Sequence, residues 1–135
     1  MFRSLALAAA LSPALAVAET AWPPEFNTAV NEARTYCEGE FSITEETVVH
    51  RDLNDDGTSD WILDANGFSC SANASSFYCG TEGCEIETQI DGVSGALLLH
   101  DWAVVTEAGT TFLTAPNSAG EPVRFLWTGT DWALQ

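Results

Sequence analysis

Four cysteines constrain the possible folds of this chain more than any other sequence feature. Oxidised cysteines link distant points of a chain covalently, and four of them allow three pairings. The sequence alone does not decide among the three. We expect one disulfide across the short loop of residues 80–83, and a second that ties a predicted helix to a predicted sheet. These disulfides would be Cys79–Cys84 and Cys37–Cys70.

The first residues have the pattern of a secretory signal peptide. Arg3 precedes an apolar run over residues 5–15, and residues 16–18 are the small Ala-Val-Ala sequence that signal peptidases cleave after. We therefore expect removal of residues 1–18, which leaves residues 19–135 as a single soluble domain, secreted or periplasmic. Thiols are normally oxidised in these compartments, which favours two disulfides over a zinc site.

The chain is strongly acidic, with 20 aspartates and glutamates and a formal net charge of −16 at pH 7. It contains no lysine. Such a charge repels nucleic acid and anionic membranes, and it attracts cations and basic proteins. We therefore expect no nucleic-acid or membrane partner, and a basic secreted protein is the partner that the charge favours.

Hydrophobic periodicity predicts one helix followed by strands. Apolar residues recur at helical spacing from Phe26 to Cys37, and this pattern ends near Gly39. Beyond that point the apolar residues alternate with polar ones and turn sequences become frequent. The predicted fold class is α+β, with one N-terminal amphipathic helix packed on an antiparallel β-sheet that forms a hairpin meander, fastened by two disulfides.

The predicted strands are separated by turn sequences, and the glycine- and serine-rich stretch 69–83 is predicted to be a loop held by its cysteines. The strands are expected over residues 40–43, 47–51, 60–65, 85–90, 96–106, 110–115, 123–128 and 132–134.

One segment, residues 52–60, has a metal-binding pattern. It reads Asp-Leu-Asn-Asp-Asp-Gly-Thr-Ser-Asp, with oxygen-bearing side chains at alternate positions and a glycine that permits a sharp turn. Calcium prefers about six to eight hard oxygen ligands. Four side chains and the main-chain carbonyl of position 7 are predicted to bind it, while Asp55 is expected to point to solvent. The predicted ligands are Asp52, Asn54, Asp56, Thr58 and Asp60.

This segment resembles the calcium loops of EF-hands, dockerins, thrombospondin type 3 repeats and, above all, FG-GAP repeats. Its flanks predict strands, as in FG-GAP-type loops, and Leu63 replaces the bidentate glutamate of the EF-hand. The resemblance implies a structural calcium site, and the missing ligand implies weak affinity, about 10⁻⁴ to 10⁻³ M. The alternative is a polar turn without metal, in which Asp52, Asp56 and Asp60 would repel one another.

The wider layout resembles a group of small, uncharacterised secreted bacterial proteins. The likeness rests on the acidic segment and on Phe68-Ser69-Cys70, Tyr78-Cys79-Gly80 and Gly83-Cys84. It implies the architecture and assigns no activity.

The sequence contains no convincing catalytic set. His100 and Asp101 are adjacent in a predicted strand, so their side chains would point to opposite faces. Acid pairs such as Glu85 and Glu87 would suit a small hydrolase only if a cleft set their separation. Exposed tryptophans would suit a carbohydrate-binding module. The five tryptophans are Trp22, Trp61, Trp102, Trp127 and Trp132.

We therefore predict a non-enzymatic, extracytoplasmic binding domain, stabilised by disulfides and a structural calcium-type loop. Its acidity suits the capture or inhibition of a basic protein, such as a lysozyme or a protease. The carbohydrate-binding module and the small hydrolase are the alternatives.

Overall fold

The computed structural model describes residues 21–72 and 78–135. The predicted signal peptide, residues 1–18, lies outside the described residues. The elements in chain order are α1 (Pro24–Tyr36), β1 (Phe41–Ile43), β2 (Val48–Arg51), β3 (Asp60–Asp64), β4 (Phe68–Cys70), β5 (Cys79–Gly80), β6 (Gly83–Ile90), β7 (Val93–Leu99), β8 (Ala103–Glu107), β9 (Thr110–Pro116), β10 (Pro122–Trp127) and β11 (Trp132–Leu134), with single 3₁₀ turns at Glu45–Thr47 and Ala65–Gly67.

The predicted α+β class is wrong, because the protein is mostly β-sheet. Strands hold 48% of the described residues and helical turns 17%. The one α-helix, Pro24–Tyr36, has 13 residues and does not lie at the N-terminus of the chain. Its apolar residues have the predicted helical spacing, but so short a helix covers only part of one sheet. Packing between sheets therefore supplies much of the core.

The predicted single meander is also wrong, because the strands form three antiparallel sheets. β1 and β4 form a small ribbon. In what we call the central sheet, β3 lies between β2 and β6, while β6 also pairs with β5 and β7. The outer sheet has the order β11-β10-β9-β8. The long strand β6, with 8 residues, therefore organises the central sheet.

Two wrongly predicted segments explain why the predicted topology differs from the observed one. The predicted strand 96–106 is broken where Asp101 adopts a left-handed backbone with φ 45°, so β7 and β8 belong to different sheets. The predicted loop 69–83 contributes residues to β4, β5 and β6. Aspartate tolerates the left-handed conformation better than most residues do. The sequence alone does not show which aspartate adopts this conformation.

Two apolar cores lie on opposite faces of the central sheet. Side chains of consecutive strand residues point to opposite faces, so Ile62 packs toward the outer sheet and Leu63 packs against α1. The core between the sheets buries Leu53, Ile62, Ile86, Ile90, Leu99, Leu113, Ala115 and Trp132. The core under the helix buries Phe26, Val30, Ala33, Leu63, Ala65 and Phe68.

Both expected disulfides are present. Cys37, directly after α1, is bonded to Cys70 at the end of β4, with Cα atoms 5.7 Å apart. Cys79 and Cys84 are opposite residues of β5 and β6, and they form the second bond. Two disulfides are typical of an oxidising, extracellular environment. Among the described helices, none has the length and apolar character that crossing a membrane requires.

Candidate metal centre

Residues 52–60, which we call the acidic loop, connect β2 to β3 and are organised by one carboxylate. Oδ1 of Asp52 accepts hydrogen bonds from the N–H groups of Asn54 and Asp55, at 3.2 and 2.9 Å. Its Oδ2 accepts from the N–H of Gly57 at 2.8 Å. Gly57 has φ 81°, a conformation that favours glycine. The turn predicted at this glycine is therefore present.

Three carboxylates converge on one point of the acidic loop. One oxygen each from Asp52, Asp56 and Asp60 lies within 4.8 Å of the other two. Asp60, the first residue of β3, is only 2% exposed, whereas Asp56 is exposed. Like charges at this separation repel one another, and a cation between them would reverse the effect. The trio can therefore hold a metal ion, as its pattern predicts.

The pKa values of Asp56 and Asp60 are shifted in opposite directions. Burial raises the pKa of the Asp60 carboxyl, the N–H of Leu53 opposes this with a 2.9 Å hydrogen bond, and the charges of Asp91, Asp56 and Asp52 raise that pKa further. By contrast, the hydrogen bond from the main chain of Thr58 lowers the pKa of Asp56. The buried member of the trio is thus the one that a bound cation would relieve most.

The side-chain oxygen of Asn54 has no hydrogen-bond donor among the described residues. This oxygen, Oδ1, is buried. Leaving such a group unsatisfied costs about 1–3 kcal/mol. An amide oxygen is also a ligand that hard cations prefer. This unsatisfied oxygen therefore supports the prediction that Asn54 is a metal ligand.

Asp91 belongs to the site, although the acidic pattern does not contain it. It lies in the turn between β6 and β7, where it has φ 50°. Its Oδ2 accepts a hydrogen bond from Nδ2 of Asn54 at 2.8 Å, and its charge acts on Asp60. The sequence identifies Asp91-Gly92 as a turn, but no local signal shows that this turn meets residues 52–60.

Asp55 is exposed, as expected, but its carboxylate also contacts the outer sheet. Its Oδ2 accepts a hydrogen bond from the N–H of Thr111 at 2.9 Å, and its Oδ1 accepts from the Thr111 hydroxyl at 2.5 Å. Thr111 is 3% exposed and lies in β9 of the outer sheet. Asp55 therefore fixes the acidic loop to the second sheet, which the spacing of the pattern does not reveal.

A main-chain hydrogen bond fixes the position of Thr58 in the loop. Its N–H donates to Oδ1 of Asp56 at 2.8 Å, which holds position 7 of the loop against position 5. Its carbonyl oxygen remains a predicted ligand.

Both histidines and Trp132 are engaged in structural contacts, whereas Glu85 and Glu87 lie on one face of β6 without such a partner among the described residues. Nε2 of His100 lies 2.9 Å from the carbonyl oxygen of Thr81, and His50 stacks on Trp61 with ring centroids 3.8 Å apart. Nε1 of Trp132 donates to the buried hydroxyl of Thr88 at 3.0 Å. All five tryptophans are buried or half-buried. The structure therefore does not display a row of exposed indoles.

No known protein family, curated protein or solved structure matches this chain. The resemblance to FG-GAP-type calcium loops therefore rests on the acidic loop alone, where the three converging carboxylates are compatible with it.

Proposed function

We propose that this chain is an extracytoplasmic, non-enzymatic binding domain whose fold is stabilised by a calcium ion in the acidic loop. The observation that carries the proposal is the convergence of Asp52, Asp56 and the buried Asp60 within 4.8 Å. Burying a carboxylate beside two others is costly unless a cation compensates the charge.

The ligand chemistry favours calcium over other metals. The candidate ligands are carboxylate, amide and carbonyl oxygens, which suit hard cations, and they include no thiolate or imidazole. The oxygens come from a curved loop and from the start of β3, an arrangement that suits the flexible coordination of calcium better than the strict octahedron of magnesium. Asn54 and the carbonyl of Thr58 would complete the set with the three aspartates.

A structural role follows from what the loop contacts. Leu53 is fully buried in the core between the sheets, and Asp55 is bound to Thr111 of the outer sheet. Asn54 contacts Asp91 in the turn between β6 and β7. An ion held by this loop would therefore stabilise the junction of the two large sheets.

The binding role is supported by charge and by compartment. The chain has a net charge of −16, and the described residues contain a single salt bridge, in which Arg124 contacts Glu107 at 2.6 Å. Most carboxylates therefore remain available to a partner, which we propose is a basic secreted protein. Inhibition of a basic lysozyme or protease is one form of this role. The two disulfides and the predicted signal peptide support an encounter outside the cytoplasm.

Thermal and denaturant unfolding with calcium or with chelator test the metal part of the proposal. Calcium at about 100 times its dissociation constant should raise the free energy of unfolding by about 2.7 kcal/mol. Asp56→Ala should abolish this gain, because it removes a ligand oxygen. Asp101→Ala is the matched control, because it removes the same side chain from an exposed residue outside the loop and should keep the gain. Equal melting with calcium and with chelator would contradict a structural metal.

A further inference from the structure

One face of the central sheet is only partly covered by α1. Leu63 of β3 lies under the helix and is paired with Glu87 of β6, so Glu87 points to the same face. On that face Glu85 is paired with Leu98 and Glu87 with Ala96. Leu98 is nevertheless 49% exposed. The helix therefore covers β3 and leaves the neighbouring face of β6 and β7 open.

A groove of about 470 Å³ runs between α1 and this open face. Glu25 and Glu32 of the helix form one wall, and Glu87 and Ala96 lie on the other. A smaller cavity of about 70 Å³ continues it, between Glu32, Glu85, Glu87 and the aromatic residues Phe68 and Tyr78. Leu98 lines neither cavity but adjoins Glu85 and Glu87 on the same face. We call the combined surface the acidic groove, and it is defined by Glu25, Glu32, Glu85, Glu87, Tyr78 and Leu98.

The carboxylates of the acidic groove have no partner within the described chain. None of the four glutamates accepts a side-chain hydrogen bond or an ion pair from another described residue. Burial raises the pKa of Glu87, and the charges of Glu85 and Glu32 raise it further. Glu87 is half-buried, whereas Glu25, Glu32 and Glu85 are exposed. The groove thus combines one partly buried negative charge with exposed ones, and no described cation compensates them.

The arginines that the structure places in contacts are engaged elsewhere. Arg34 lies 5.5 Å from the ring centroid of Phe41 and bonds to Asn31, while Arg124 pairs with Glu107. The chain has no lysine. Arg51, at the exposed end of β2, does not line the groove. No described residue therefore supplies a cation to the groove, and one that fills it would come from another molecule.

The shape and chemistry of the groove indicate which cation it fits. An aromatic ring beside carboxylates is a favourable site for an arginine or lysine head group. The half-exposed Leu98, with Ala96 beside it, offers an apolar strip on which the aliphatic stems of such side chains can pack. A small inorganic cation would use the carboxylates but would leave this strip uncovered.

We propose that the acidic groove is the docking surface for an arginine- and lysine-bearing segment of a basic protein. The proposal rests on the partner part of the proposed function and names the surface that performs it. Head groups of the segment pair with Glu32, Glu85 and Glu87, and its apolar atoms cover Leu98.

The test is binding of a fluorescein-labelled peptide of alternating leucine and arginine to the full protein, measured by anisotropy in calcium buffer. The double variant Glu85→Gln with Glu87→Gln should weaken binding by about tenfold, which corresponds to about 1.4 kcal/mol. The matched control is Glu45→Gln with Glu46→Gln, which removes two exposed charges that do not line the groove. It should change binding by less than about threefold, the range of a diffuse surface effect.

A further variant, Leu98→Asn, tests the apolar strip without changing charge. It should weaken binding of the leucine–arginine peptide more than binding of a glycine–arginine peptide. Melting curves establish that each variant is folded.

The outcomes distinguish failure of the groove proposal from failure of the proposed function. Equal losses in the two double variants would show diffuse attraction and overturn the groove, while capture of basic proteins would stand. No binding of the peptide to the wild-type protein would also overturn the groove. If a panel of basic proteins likewise failed to bind at low ionic strength, the partner part of the proposed function would fall as well.

Discussion

In the acidic loop, main-chain N–H groups hold each aspartate in place, whereas the glutamates of the acidic groove accept no such bonds from the residues that the structure describes. Leu53 donates to Asp60, Gly57 donates to Asp52, and Thr58 donates to Asp56. The loop therefore fixes its oxygens at short separations before any ligand arrives, as a metal site requires. The groove leaves its carboxylates free to adjust, which suits the longer side chains of a polypeptide partner.

The two regions also differ in how they are built. The acidic loop is a local structure, since its carboxylates lie within residues 52–60. The acidic groove is assembled from α1, β6 and β7, and it exists only when the helix is held over the sheet. Changes that loosen α1 should therefore affect the groove and spare the loop.

Loss of the Cys37–Cys70 disulfide should have the largest effect and should separate the two regions. The bond closes a chain separation of 33 residues, so Cys37→Ser with Cys70→Ser should destabilise the fold by about 3–4 kcal/mol in the chain-entropy model. Denaturant unfolding would measure the loss. Because the bond anchors the end of α1, peptide binding should weaken while calcium binding persists.

The short disulfide provides the control for that change. Cys79 and Cys84 are separated by 5 residues, so Cys79→Ser with Cys84→Ser should cost less, about 2 kcal/mol. An equal or larger loss from the short bond would contradict the chain-entropy explanation.

Asp55→Ala should have the next largest effect, because it disconnects the acidic loop from the outer sheet. The N–H and hydroxyl of the buried Thr111 would lose their shared acceptor, at a cost of about 1–3 kcal/mol. Asp101→Ala is the control for backbone strain, since both aspartates have positive φ values, 63° and 45°. The free energies of unfolding of the two variants, measured in urea, should differ by the cost of the lost hydrogen bonds. Equal stabilities would show that the contact with Thr111 contributes nothing.

Glu87→Gln should give the smallest effect, and its sign depends on pH. The pKa of Glu87 is raised in the folded protein, chiefly by burial. The folded state therefore binds a proton more tightly than the unfolded state, and the associated stability is present at low pH and lost as pH rises through the folded pKa. Glutamine cannot ionise, so the variant should melt slightly higher than the wild type at neutral pH.

That difference should disappear below about pH 4, where the unfolded glutamate is also protonated. Glu45→Gln, which changes an exposed carboxylate, should show little dependence on pH. A neutral-pH melting temperature of Glu87→Gln below that of the wild type would contradict the burial of an uncompensated charge in the groove.

Features encoded locally could be predicted from the sequence. The alternating oxygens before Gly57 predict the loop, and helical spacing from Phe26 predicts α1 nearly to its bounds. The turn sequences predict most strand ends. In each case the physical cause, a backbone conformation or an amphipathic period, acts over a few neighbouring residues.

Features that depend on which elements meet could not be predicted. β1 pairs with β4 although both 3₁₀ turns, β2 and β3 lie between them in the chain. The left-handed Asp101 separates β7 from β8, which belongs to another sheet. Asp91 and Thr111 join the acidic loop from turns and strands far along the chain. Such contacts are set by strand register and by packing of distant segments, which a single sequence does not display.

The most direct test of the account is a calcium titration of the ¹⁵N-labelled protein, followed by amide chemical shifts. We predict one saturable site in the range of about 10⁻⁴ to 10⁻³ M, with the largest shifts at Gly57, Thr58 and Asp60 and a smaller one at Asp91. Asp56→Ala should remove these shifts and Asp101→Ala should retain them. Shifts that stay absent, or that grow without saturation across many acidic residues, would contradict a calcium site in the acidic loop.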